Sequence, residues 1–90
     1  MEYPVEHRAD RLLRALGRQA EGKFEPIVDP MAAAERLYID TSSSMYDAAI
    51  NRLLEKGYLE KTHHPALGTT IGAYRLTEEG LARAIELRRG

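Results

Sequence analysis

The segment from Asp40 to Leu59 carries the signals of a complete helix and then runs straight into a strand, which constrains the fold more than any other feature. A hydroxyl at Ser42 or Ser43 can accept from a backbone N–H that the first turn leaves without a partner. Tyr46, Ala49, Ile50 and Leu53 then fall on one face, with Leu54 at its margin. The opposite face holds Ser44, Ala48, Asn51 and Glu55, flanked by Met45, Asp47 and Arg52. Gly57 is placed to take the left-handed conformation that ends a helix. Tyr58 to Thr62 leaves as a strand and Ile71 to Leu76 returns, so the pair is a hairpin. Its wide tip, His63 to Thr70, contains Pro65 and Gly68.

The flanking segments fit around this unit. Ala9, Leu12, Leu13 and Leu16 recur at the spacing that lines one face of a helix, predicted from about His7 to Arg18 or a little beyond. Asp10 and Arg14 stand in the favourable acid-first order within it. Gly17 weakens its end and Glu21-Gly22 stops it. Phe24 to Val28 is read as extended, a minor edge strand, because Pro26 excludes a helix interior. Asp29 and Pro30 supply an N-cap and a first helical residue for a short helix, Met31 to Leu37. Its alanines, Ala32, Ala33 and Ala34, let another backbone come close, and Tyr38 to Thr41 makes a turn. Thr77 can cap a last helix whose first turn carries Glu78 and Glu79, where acids complement the helix dipole. Leu81, Ala84, Ile85 and Arg88 share a face of it, Glu79 and Arg83 can pair, and Arg88 to Gly90 is expected to fray.

The predicted fold class is therefore α+β, mainly helical with a small β-hairpin, in the order helix, short strand, helix, helix, strand, strand, helix. Ninety residues make one domain, 1–90, with an ordered core at about 7–87. A chain of this length buries only about two-thirds of its unfolded surface, which leaves little room for an internal cofactor. There is no Cys, hence no disulfide framework and no thiolate metal site. The N-terminus lacks the basic-then-apolar order of a signal peptide, and no apolar run is long enough to span a bilayer. A cytoplasmic protein with no membrane partner is the expectation.

Thirteen Lys and Arg against fourteen Asp and Glu give a formal charge of −1. The distribution is less even than the sum. Lys61, His63, His64 and Arg75 face no acid between residues 61 and 75, and Arg8, Arg11, Arg14, Arg18 and Lys23 outnumber Asp10 and Glu21. Phosphates respond to such local surplus, because screening limits the reach of a charge to about 8 Å at physiological salt.

Two phrases carry a family resemblance: Arg52-Leu-Leu-Glu-Lys-Gly-Tyr-Leu59 and Tyr74-Arg-Leu-Thr-Glu-Glu-Gly-Leu81. The first resembles the end of the recognition helix, and the second the returning wing, of winged helix-turn-helix transcription regulators. Both phrases are similar to those of the multiple-antibiotic-resistance (MarR) and phenolic-acid-decarboxylase (PadR) regulators. The resemblance extends over roughly Ala9 to Leu87. It implies a recognition helix at about 43–56 and a wing at about 58–76. By the same resemblance Ser43, Ser44, Met45, Asp47, Ala48, Asn51 and Arg52 would face the major groove of duplex DNA. Lys61, His63, His64, Thr69, Thr70 and Arg75 would belong to the wing, near the backbone or minor groove. Those families add long dimerisation helices, and this chain ends soon after Ile85.

The residue chemistry is compatible in part. Asn51 can pair with adenine, Asp47 can accept from cytosine, and Arg52 can reach guanine or a phosphate. Each has a plainer reading. Asp47 could instead partner Ser44 in a capping box. Tyr46 could stack on a base, but its place on the apolar face makes it core, with the hydroxyl at the rim. His63 and His64 lack a third ligand for a metal and read as exposed wing residues, which would strengthen phosphate binding below about pH 6.5. The serines at 42–44 could be a phosphorylation site, though capping explains them, and the arginines of the first helix could be only a solvated face. No catalytic motif, metal set or cofactor loop is present, so no enzyme is expected and no cofactor.

The expectation is a sequence-specific DNA-binding regulator of transcription acting as a homodimer. The arginine-rich side of the first helix, and Leu81, Ile85 and Leu87 of the last, are the candidate dimer surfaces. A winged helix used for protein–protein interaction, without DNA, is the alternative.

Overall fold

A computed structural model describes residues 5–62 and 73–89. The elements run α1 (Val5–Ala20), β1 (Ile27–Val28), α2 (Pro30–Arg36), α3 (Ser44–Glu55), β2 (Leu59–Thr62), β3 (Ala73–Leu76) and α4 (Glu78–Arg89). The molecule is thus mainly helical with one small antiparallel sheet, an α+β fold. The strands lie in the order β1-β3-β2, so the short Phe24–Val28 segment does supply an edge strand. Ile27 stands opposite Arg75 and Val28 opposite Tyr74, while Leu59 stands opposite Leu76 and Lys61 opposite Tyr74.

The core forms where α1 presents Ala9, Leu12, Leu13, Leu16 and Ala20 to the other elements, all of them buried. Tyr46, Ala49, Ile50 and Leu53 of α3 pack there, with Ala33 and Ala34 of α2, Val28, Leu59 and Leu76 of the sheet, and Ala84 of α4. Of the three alanines of α2, Ala33 and Ala34 are buried and Ala32 is half-buried. No polar or charged residue lies in this core among the described residues.

Helix ends are set by side chains and by backbone handedness. The Asp29 carboxylate accepts from the N–H of Met31 at 3.1 Å and of Ala32 at 3.3 Å, with Pro30 as the first residue of α2. The α2 end is closed by the Ile39 N–H donating to the Ala34 carbonyl and the Tyr38 N–H donating to that of Glu35. This double closure requires a left-handed residue at Tyr38, whose φ is 59°. Helix α3 ends the same way, with Tyr58 donating to Leu53 and Gly57 to Leu54, and Gly57 has φ 75°.

Thr77 fixes α4 to the preceding turn. Its hydroxyl donates to the Gly57 carbonyl at 2.5 Å and accepts from the Gly80 N–H at 3.0 Å, while its own N–H donates to the Tyr58 carbonyl. Gly80 lies so close to Tyr58 that a Cβ there would run into the Tyr58 carbonyl.

Several expectations need correction. Helix α1 stops at Ala20, just before Glu21-Gly22 as expected, but it starts two residues early, at Val5, and Gly17 sits inside it. Helix α4 continues to Arg89, because Arg88 pairs with Glu21 just beyond α1. Arg83 pairs with Glu86 of its own helix and with Asp10 of α1 at 3.5 Å, not with Glu79. Leu81 and Leu87 pack against the core, leaving Ile85 as the exposed apolar residue of the proposed α4 contact surface, at 52% exposure. No helix among the described residues is long and apolar enough to cross a membrane.

Candidate nucleic-acid interface

The N-terminus of α3 is built by Asp40 and Ser43. The Ser43 hydroxyl accepts from the Tyr46 N–H at 3.2 Å and donates to the Asp40 carbonyl at 2.6 Å. The Asp40 carboxylate accepts from both the hydroxyl and the N–H of Ser42, at 2.6 and 2.9 Å. The Ser42 hydroxyl bond and then the Ser42 N–H bond hold the Asp40 carboxyl below its ordinary pKa. The cap is therefore Ser43, and Asp47 lies four residues beyond it. The capping box between Ser44 and Asp47 is not the arrangement found.

With Tyr46, Ala49, Ile50 and Leu53 turned to the core, the outer side of α3 consists of exposed Ser44, Met45, Asp47 and Asn51, and half-buried Ala48 and Arg52. Ser43 is also half-buried, and the two bonds of its cap occupy its hydroxyl. Arg52 lies 3.7 Å from Glu55, so its charge is shared within the helix.

The hairpin register decides which strand residues join this surface. Lys61 and Tyr74 stand opposite each other and lie on the sheet face that meets α3. Together with Tyr46, Asp47, Ile50, Asn51 and Leu54 they line an open cleft of about 250 Å³. Arg75 is one residue along and therefore on the other face, where it approaches Glu60 at 3.9 Å. Lys61 and Arg75, expected together on the wing, are thus turned to opposite sides of the sheet. His63, His64, Thr69 and Thr70 lie outside the described residues.

Tyr46 forms the floor of the cleft. It is 9% exposed, and its hydroxyl pKa is pushed up to about 12. Burial is the main cause, followed by the neighbouring Tyr74, Asp29 and Asp47, which disfavour a second negative charge. The ring is core, as its position on the apolar face indicated, and the phenol stays protonated at any physiological pH.

Sequence reasoning did not single out Tyr74 as a cleft residue, although strand alternation from buried Leu76 places it on that face. It also missed Tyr38, whose ring is 98% exposed in the turn just before α3. No local signal marks that site, since a left-handed helix end ordinarily calls for glycine.

The cleft and the α3 surface together carry Asp47, Arg52, Glu55 and Lys61, two acids and two bases. Among the described residues no group of three or more His, Asp or Glu side chains could hold a metal ion. Comparison with known proteins finds no matching family model, no matching curated protein and no matching solved structure.

Proposed function

We propose that this chain is a winged helix that binds duplex DNA and regulates transcription, with α3 entering the major groove and the β2–β3 hairpin acting as a wing. The observation that carries the reading is the meeting of the exposed side of α3 with Lys61 of the hairpin, beside Asn51, on one continuous surface. The element order and the β1-β3-β2 sheet support it. An α-helix is narrow enough for the major groove, and Asn51 has the donor and acceptor geometry that suits adenine. Lys61 would neutralise a backbone phosphate while Ser44 and Met45 approach base edges or the backbone.

A single module of this kind buries only about 600–1,000 Å² on DNA, so two copies on a two-part site are proposed to supply the affinity. Light scattering at high protein concentration tests the second copy, because a mass equal to the 10.1 kDa monomer removes it.

The decisive experiment is fluorescence anisotropy of a labelled random-sequence duplex titrated with the protein across a salt series. Binding should weaken with salt, with a slope of about 0.9 per phosphate neutralised. Replacing both Arg52 and Lys61 with Glu should abolish it. No binding at low salt overturns the proposal.

A second reading is favoured by one observation: Asp47 and Glu55 balance Arg52 and Lys61 on the surface that would meet phosphates. Under it the same surface binds another protein, and the double charge reversal has no effect on DNA because DNA does not bind.

A further inference from the structure

Arg11, Arg14 and Arg18 form a straight row on the solvent side of α1. They are spaced three and four residues apart, and at 3.6 residues per turn they lie opposite buried Ala9, Leu12, Leu13, Leu16 and Ala20. All three are exposed, and among the described residues no hydrogen bond or ion pair engages their side chains. Among the described side chains, the acids of α1 and just beyond it are already engaged. Asp10 is paired with Arg83, and Glu21 with Arg88, both from α4. The packing of α4 thus neutralises the acids at the margin of the row and leaves its three cations as an unbalanced surface.

This row is separate from the α3 surface. Helix α1 packs on the apolar side of α3, and each helix turns its remaining side away from that contact. One straight duplex cannot lie on both.

We propose that the outer face of α1 docks an acidic α-helical segment of a partner protein, with carboxylates at the same three-and-four spacing. The length of the row favours this occupant. From Arg11 to Arg18 it covers about 10 Å of helix axis at 1.5 Å per residue. A helix bearing three carboxylates matches the arginines one for one. Guanidinium also meets carboxylate as a planar two-bond fork. A second copy docked symmetrically through this row would set arginine against arginine, so the arginine-rich side of α1 is unsuited to a twofold dimer contact.

The inference stands apart from the DNA reading, and its test keeps the two separate. The probe is a labelled alanine-rich helical peptide of about 20 residues, long enough to hold a helix in water, with three glutamates at three-and-four spacing. Its anisotropy is followed at low salt with the full chain, beside a peptide of the same composition with the glutamates dispersed around the helix. The expected result is saturable binding of the first peptide, weaker binding of the second, and loss on adding salt. Arg14→Gln should weaken it several-fold, and Arg11→Glu, Arg14→Glu and Arg18→Glu together by on the order of tenfold or more, as three exposed ion pairs allow. The same triple variant should bind a peptide with lysines in place of the glutamates, a gain that an unfolded protein would not show. Replacing Arg52 and Lys61 with Glu should leave peptide binding unchanged. No saturable binding, equal binding of the two peptides, or failure of the lysine peptide on the triple variant overturns the proposal. So does a labelled duplex whose binding is lost with the α1 arginines while peptide binding persists, because that assigns the row to phosphates.

Discussion

Tyr38 and Gly57 occupy the same position in two equivalent helix closures. Each is the left-handed residue after its helix, at φ 59° and 75°, and each sits inside the same pair of backbone hydrogen bonds. Only one of them is glycine. A left-handed conformation costs an ordinary L-residue roughly 1–2 kcal/mol, and the exposed Tyr38 ring recovers little of that through packing. Tyr38→Gly should therefore raise stability by about 0.5–1 kcal/mol after the extra chain entropy of glycine is counted. In a domain of this size that is a rise in Tm of roughly 2–8 °C. Differential scanning calorimetry checks it, and an unchanged or lowered Tm would show that the ring has contacts of its own.

Gly57→Ala should move the other way, by about 1 kcal/mol, for the same reason. Gly80→Ala should cost more, about 2–4 kcal/mol, because a Cβ there meets main chain that cannot rotate aside. Urea unfolding of the two variants separates backbone handedness from close approach. Equal losses would contradict the contact between Gly80 and Tyr58.

Tyr46 predicts a loss of stability in alkali. Its pKa in the fold is raised to about 12 from an ordinary value of 10.0. The folded state therefore holds a proton that the unfolded chain releases first. This contribution is intact below pH 10 and is lost as the pH rises through 12. Ultraviolet titration should show one tyrosine ionising late. In Tyr46→Phe that late step should disappear, and stability should fall less steeply over the same interval. If the step lost in Tyr46→Phe lies near pH 10 instead of about 12, the burial of this hydroxyl is contradicted.

Asp47, like Glu55, is an acid on the proposed DNA surface and would oppose phosphate binding. Two unit charges about 4 Å apart in water interact by about 1 kcal/mol. Asp47→Asn should accordingly tighten duplex binding by roughly fivefold and leave its salt slope almost unchanged. Lys61→Ala should weaken it and reduce the slope by about one phosphate. If Asp47→Asn weakens binding on one sequence alone, the carboxylate reads a base.

Arg83 and Arg88 clamp α4 to α1 through partly exposed pairs with Asp10 and Glu21. Each is worth at most about 1 kcal/mol and is screened by salt. Arg83→Ala should lower stability by that amount or less at low salt, with the difference from the parent protein shrinking in 1 M NaCl. A loss that persists at high salt would point to packing of the arginine stem instead.

The elements were legible in the sequence wherever a local signal determines them. Asp29 with Pro30, Ser43, Gly57 and Thr77 mark boundaries because each satisfies a backbone group in its own turn. The apolar stripes of α1 and α3 were legible because periodicity reports which side is buried. What depends on distant partners was not. The Arg83 pair with Asp10, the extension of α4 by Arg88, and the burial of Leu81 and Leu87 all follow from how α4 docks on α1. The candidate surface was legible as far as α3, while the separation of Lys61 from Arg75 required the strand register.

That register also determines how the molecule assembles. The middle strand, β3, is shared between β2, its neighbour across the hairpin, and β1, from which about half of the chain separates it. A two-stranded hairpin alone is marginal in water, so the sheet is completed only when the early and late segments of the polypeptide have met. Loop-closure entropy must be overcome before that pairing is rewarded, which places it among the slower events of folding. Once formed, it links β1 and β2 through β3 to the turn holding Thr77, so the amides of these strands should exchange with solvent together.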